Sequence, residues 1–209
     1  MNPLELHIHR WEPASTPDAP TLLLLHGTGG SEQDLFGLGN LIRPGAAMLS
    51  PRGNVSEGGA SRFFRRLAEG VFDEPDLRRR TGELADFVVA ASGHYGFSLS
   101  TVCAVGYSNG ANIAASMLLL RPEVLSAALL YRAMVPFVPT SLPDLSDKRV
   151  LVSAGRDDTM IPRAGTERLA KILLDAGAVV EVAWQDSAHG LVHGDVTAGE
   201  RFLGAVKAR

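Results

Sequence analysis

The chain has 209 residues, 45% of them apolar and 21% charged, with a formal net charge of −3 at pH 7. That length suits one well-packed domain rather than two. The charge balance describes an ordinary soluble globular protein and lacks the basic excess of a nucleic-acid binder or of a protein held on an anionic membrane surface. The single cysteine, Cys103, has no partner for an internal disulfide and, lying within an apolar run, reads as a small buried hydrophobe. An acidic residue, Glu5, stands where a secretory leader would be basic, and no apolar run approaches membrane-spanning length. The expectation is a cytoplasmic protein.

In chain order, residues 4–11 alternate strictly between apolar and polar, which predicts a half-exposed edge strand with His7 and His9 together on its solvent side. Residues 13–20 form a proline-marked loop. Residues 21–25 are a fully apolar strand of the buried parallel kind. They run into His26-Gly27-Thr28-Gly29-Gly30, after which Ser31 is placed to cap a helix with Glu32 and Asp34 in its first turns. This glycine-rich loop lacks the lysine of a P-loop and the spacing of a dinucleotide fingerprint. Its remaining uses are an oxyanion hole, with backbone N–H groups facing a developing negative charge, or a plain turn. Residues 46–50 predict another buried strand, and residues 54–72 an excursion over one end of the sheet. The arginine-bearing stretches 62–66 and 78–80 read as solvated helix faces. A helix follows over 75–91, with Leu77, Leu84, Phe87 and Val88 on its apolar side and Gly93 as its stop.

The most informative stretch is residues 102–113. An apolar strand ends in Gly106-Tyr107-Ser108-Asn109-Gly110 and a small-residue helix begins at once, the pattern of a nucleophile elbow. Beyond it, strands are predicted at 126–131, 149–154 and 179–184, and helices at 166–176, closed by Gly177, and at 198–208. Strands alternating with helices give an α/β fold with a mostly parallel central sheet, helices on both faces and no large lid domain. Four polar or glycine-rich stretches each follow a strand: residues 26–30, Ser108, Asp157-Asp158, and His189. In a parallel sheet all the carboxyl ends lie on one side, so these stretches can meet. A serine hydroxyl becomes a nucleophile when a histidine takes its proton and a carboxylate orients that histidine. The order serine, aspartate, histidine is that of an α/β-hydrolase.

These motifs, namely residues 25–30, the elbow, Gly155-x-x-Asp158-x-x-Ile161-Pro162 and Ala188-His189-Gly190, resemble the phospholipase/carboxylesterase group of α/β-hydrolases, which includes acyl-protein thioesterases and bacterial carboxylesterases. The likeness covers nearly the whole chain, and residues 61–73 are similar to a bacterial MhqD-type subgroup. The resemblance implies Ser108 as nucleophile, His189 as general base and then acid, and Asp158 as orienter. The family's spacing selects Asp158 over Asp157, and His193, outside the motif, reads as a surface residue. It further implies backbone N–H groups of Thr28 and Asn109 as the oxyanion hole and a structural role for His26. Many relatives carry another residue where Asn109 stands, a difference expected to touch the pocket more than the hole.

The function so implied is hydrolysis of carboxylic esters with short or medium acyl chains, or of thioesters by the same machinery, on a small-molecule substrate. No cofactor, metal, nucleic acid or membrane insertion is implied, and the family's habit of dimerising implies a homodimer. Phe63, Phe64, Met134, Phe137 and Trp184 are the apolar pocket candidates. A binding protein that has lost activity on the same scaffold is the rival from another class.

Overall fold

The computed structural model describes residues 2–205. In chain order its strands are β1 (His9–Glu12), β2 (Thr21–Leu25), β3 (Ala47–Pro51), β4 (Val55–Glu57), β5 (Ala60–Arg62), β6 (Arg66–Ala68), β7 (Val71–Phe72), β8 (Val102–Tyr107), β9 (Ala127–Tyr131), β10 (Arg149–Gly155) and β11 (Val179–Gln185). The helices are α1 (Phe36–Ile42), α2 (Glu74–Tyr95), α3 (Asn109–Leu120), α4 (Arg163–Asp175) and α5 (His193–Ala205). Seven strands form one sheet in the order β1-β3-β2-β8-β9-β10-β11. All neighbours in it are parallel except β1 on β3.

The apolar runs follow from burial on both faces. Along β2, Leu23 and Leu25 belong to the buried cluster to which α2, α3 and α4 also contribute. Leu22 and Leu24 pack instead with Phe36 and Ile42 of α1 and Phe202 and Leu203 of α5. Helices therefore cover both faces, and no lid domain is inserted among the described residues. No helix among them is long and apolar enough to cross a membrane.

Several local expectations are corrected. Residues 4–11 do not make one strand: a 3-10 turn occupies Pro3–Leu6 and the strand is only His9–Glu12. His7 and His9 do share a side, but that side meets α2 rather than solvent. His7 is 5% exposed, lies edge-on to Phe87 at 5.1 Å, and its Nδ1 donates to the Arg52 carbonyl at 2.8 Å. His9 Nε2 pairs with the Tyr95 hydroxyl at 2.8 Å. Period-2 alternation marks two faces without saying which one a distant helix will cover.

Ser31 caps no helix, because α1 starts only at Phe36. Its hydroxyl binds Asp34 at 2.7 Å in a preceding turn, while Glu32 is drawn into a bidentate pair with Arg52. The excursion at 54–72 is two small hairpins, β4–β5 and β6–β7. Arg62 ends β5 and is buried, so it lies on no solvated helix face. The helix predicted from residue 198 begins at His193, and the last predicted residues, 206–208, lie outside the described ones.

Helix α2 runs through Gly93 and stops at Gly96, whose φ of 79° and amide bond to the Ser92 carbonyl make a left-handed cap. Its start is set by Asp73, which accepts the Asp76 N–H, followed by Pro75 in the first turn. Gly96→Ala is expected to destabilise the protein by about 1 kcal/mol, since the left-handed backbone strains a Cβ. Gly93→Ala, in a helix interior with no atom within 4 Å of the new Cβ, is expected to stabilise it by about 0.5–1 kcal/mol. Thermal denaturation of the two variants reads the opposite signs.

Burial holds the His7 imidazole below its ordinary value of 6.5. The unfolded chain therefore takes up a proton near pH 6.5 that the folded chain refuses. The resulting contribution is full stability above that pH and progressive loss below it, about 1.4 kcal/mol for each unit of depression. Urea denaturation between pH 7.5 and 5 is expected to show a decline that is shallower in His7→Leu.

Candidate active site

The elbow is built from steric constraint. Strand β8 ends at Tyr107 and α3 begins at Asn109, which leaves Ser108 alone to turn the chain, with φ 52° and ψ −112°. A side chain at Gly106 would stand 2.6 Å from the Gly110 carbonyl oxygen and 2.7 Å from the Ala111 nitrogen. A Cβ on Gly110 would collide with the carbonyls of Leu25 and His26 at the end of β2. Glycine at both places lets strand, helix and the neighbouring loop approach closely enough to hold a backbone that serine would otherwise avoid. The Ser108 N–H donates to the Tyr131 carbonyl at 2.9 Å, which locks the turn onto β9.

Three of the expected side chains come together in a line. The Ser108 Oγ lies 3.0 Å from His189 Nε2, and His189 Nδ1 lies 2.8 Å from Asp158 Oδ2. With Nδ1 carrying its proton toward the carboxylate, Nε2 is left as the acceptor for the serine hydroxyl. The other oxygen of Asp158 accepts the N–H groups of Met160 at 2.9 Å and Ile161 at 3.1 Å, so the loop after β10 holds the carboxylate at 7% exposure. Asp157 and His193 are both exposed and take no part.

The loop after β2 lies against the elbow: a Cβ on Gly27 would stand 2.9 Å from the Tyr107 ring. No hydrogen bond among the described residues engages the N–H groups of Thr28 or Asn109. Neighbours hold the loop's shape: the Gly29 N–H donates to the Ser61 carbonyl at 2.8 Å, and Arg62 donates to the Thr28 hydroxyl at 2.6 Å. His26 is buried at its base, with Nδ1 donating to the Gly27 carbonyl and Nε2 accepting the Gly53 N–H. Burial lowers its pKa. The Asn109 side chain is turned away from the cavity and accepts the Phe63 N–H at 2.8 Å. It braces the elbow against the excursion and does not shape the pocket.

The cavity in front of Ser108 measures about 240 Å³ and is lined on its apolar side by Met134, Met160 and Ile161. Of the five pocket candidates only Met134 reaches it. Phe63 and Phe64 are sealed in the core, Phe137 lies under the Arg78 guanidinium at 3.8 Å, and Trp184 under that of Arg163 at 5.1 Å. Hydropathy cannot separate an aromatic at a mouth from one in a core.

Sequence reasoning missed Asn112, one turn after Ser108. Its Oδ1 accepts the Met134 N–H at 2.7 Å and its side chain lines the cavity. Also missed were Tyr107, whose hydroxyl donates to the His189 carbonyl at 3.2 Å, and the buried pair of Arg132 and Asp195. Burial raises the Tyr107 pKa, which keeps that hydroxyl a donor. The one available signal was an arginine set directly at the end of a buried strand.

Comparisons with known proteins bear on the family. Residues 72–200 match the model of the dienelactone hydrolase family. The chain is 50% identical over 170 residues to MhqD of Bacillus subtilis (strain 168), a protein provisionally named a hydrolase, covering 81% of this chain and 85% of that one. A solved carboxylesterase of Bacillus cereus superposes with a TM-score of 0.93 at 42% identity, covering 95% of this chain and 93% of the other. A carboxylesterase from Mesorhizobium loti does so with a TM-score of 0.89 at 28% identity, over 96% of both chains. The chain belongs to the dienelactone hydrolase family and is a hydrolase of that carboxylesterase-like α/β type.

Proposed function

We propose that this hydrolase cleaves carboxylic esters through an acyl-enzyme, with Ser108 as nucleophile, His189 as proton carrier and Asp158 as its orienter. The observation that carries the reading is the unbroken hydrogen-bonded line from Ser108 Oγ through both ring nitrogens of His189 to Asp158. Its distances lie within the reach that proton transfer needs. The relatives support the bond type: two solved neighbours are carboxylesterases, and a lactone, the namesake of the family, is a cyclic ester.

In this mechanism the serine hydroxyl loses its proton to His189 Nε2 as Oγ attacks the ester carbonyl. The oxyanion is taken by the N–H groups of Thr28 and Asn109, which no acceptor among the described residues engages. His189 then protonates the leaving alcohol, and the acyl group stays on Oγ. A water then gives a proton to the same nitrogen as its oxygen attacks the acyl carbon; the bond to Oγ breaks, the acid leaves and Oγ takes the proton back from His189. Asp158 keeps the ring in the required tautomer and stabilises its cation throughout. A cavity of about 240 Å³ is smaller than the roughly 300–1,000 Å³ of sites for drug-sized ligands, which favours short acyl chains. A thioester would use the same atoms.

Exposure to a fluorophosphonate, followed by intact mass measurement, is expected to give one adduct on the wild-type chain and none on Ser108→Ala. Folded wild-type protein that stays unlabelled would sink the reading. Ser108→Ala and His189→Ala are each expected to lower kcat on a nitrophenyl ester by about 10⁴-fold or more with little change in melting temperature. Asp158→Asn is expected to cost about 10²–10⁴-fold, and Asp157→Asn less than about twofold; the reverse order would show that the wrong aspartate has been named. Parallel assays on an oxygen ester and a thioester of the same acyl group set the leaving-group preference.

A further inference from the structure

We propose that Arg132, Asp195 and Tyr107 form a clamp that positions His189 for proton transfer. His189 sits on a loop between β11 and α5, where no ladder of backbone bonds fixes it. Its own carbonyl and the carbonyls on either side of it are nevertheless all held. Arg132 Nε donates to the Ala188 carbonyl at 3.3 Å and Nη2 to the Gly190 carbonyl at 2.8 Å. Between them, the Tyr107 hydroxyl donates to the His189 carbonyl. Tyr107 directly precedes Ser108, so the elbow that presents the hydroxyl also grips the loop that presents the base.

Arg132 is itself fixed from every side. Nη1 and Nη2 bind the two Asp195 oxygens at 2.9 Å each, Nη1 also reaches the Ser153 carbonyl, and Nη2 the Ser187 hydroxyl. Asp195, at the start of α5, accepts in addition the Ser153 hydroxyl at 2.6 Å and the Val192 N–H at 2.8 Å. The pair thus ties β9, β10, the His189 loop and α5 to one point. Both side chains are wholly buried. Arg132 also holds a left-handed backbone, φ 57°, one of three such non-glycine residues among those described; Ser108 is another.

Two arguments separate this role from others. Arg132 borders the cavity, but every one of its N–H groups is engaged within the protein, so none is free for a substrate carboxylate. A buried ion pair is also a poor route to stability, because well-packed hydrophobic side chains in its place are often as stable or more so. What hydrophobic side chains cannot supply is fork-shaped donors for carbonyls on both sides of His189. A base displaced by a fraction of an ångström from Ser108 and Asp158 loses rate without losing substrate affinity.

The inference rests on the reading of His189 as proton carrier, and the test keeps the two apart. In fluorophosphonate labelling Oγ forms a bond to phosphorus, fluoride leaves and His189 takes the serine proton, so the labelling rate reports the base directly. The double variant Arg132→Met/Asp195→Leu is expected to melt within about 5 °C of wild type. Its labelling rate and kcat are expected to fall about 10–100-fold, with KM changed less than about threefold. Hydrogen exchange at the amides of residues 188–192 is expected to accelerate.

A double variant of wild-type stability with wild-type labelling, turnover and loop protection would overturn the clamp. If the double variant does not fold, Tyr107→Phe decides. It removes only the central contact and leaves no charge unpaired, and it is expected to lower kcat about 3–10-fold at constant KM; unchanged kcat and loop exchange would overturn the proposal. An unlabelled wild-type chain would mark failure of the esterase reading instead, and loop exchange alone would then judge the clamp.

Discussion

Contact between the first turn of α3 and the end of β2 leaves no room for a Cβ at Gly110, which faces the carbonyls of Leu25 and His26. Much of the site's geometry depends on that approach. It forces the chain between β8 and α3 into a single-residue reversal, and Ser108 accepts a positive φ there because the sheet, helix and loop around it leave no relaxed alternative. The same approach sets the Thr28 loop beside the N-terminus of α3. Hydrophobic burial of five central strands on both faces supplies the rigidity that keeps this strain in place.

Around this apolar frame buried polar groups brace the loops that carry the site, although the Asn109 Nδ2 is left without a partner among the described residues. His26 spends both ring nitrogens on backbone partners under the Thr28 loop. Arg62 ties the Thr28 hydroxyl to the excursion, and Asn109 ties the elbow to the same segment. Arg132 and Asp195 complete one another beneath the His189 loop. Buried polar groups of this kind stabilise little unless fully satisfied, and satisfied they limit the positions a loop can adopt.

The places where sequence reasoning went astray share one cause. Alternation at residues 4–11 gave the right pairing of His7 with His9 on one side, but the helix that buries that side lies some eighty residues away. The five apolar pocket candidates were chosen by type and approximate place, and four of them serve the core or lie beneath surface arginines. Asn109 looked like a variable pocket position and is a brace. Each error concerns a contact between segments that are remote in the chain, which local pattern cannot encode.

Local chemistry did carry the strand-and-helix alternation, the elbow at Ser108, the glycine loop at 26–30, and the order of serine, aspartate and histidine, because each depends on residue types at short, fixed spacing. From these alone the parallel α/β sheet and the hydrolase family were legible. The meeting of Ser108 with His189 and of His189 with Asp158, the size of the cavity and the Arg132–Asp195 pair were decided only in three dimensions. They depend on which strand ends lie adjacent in the sheet and how far each loop leans over them, and those are properties of the packed whole.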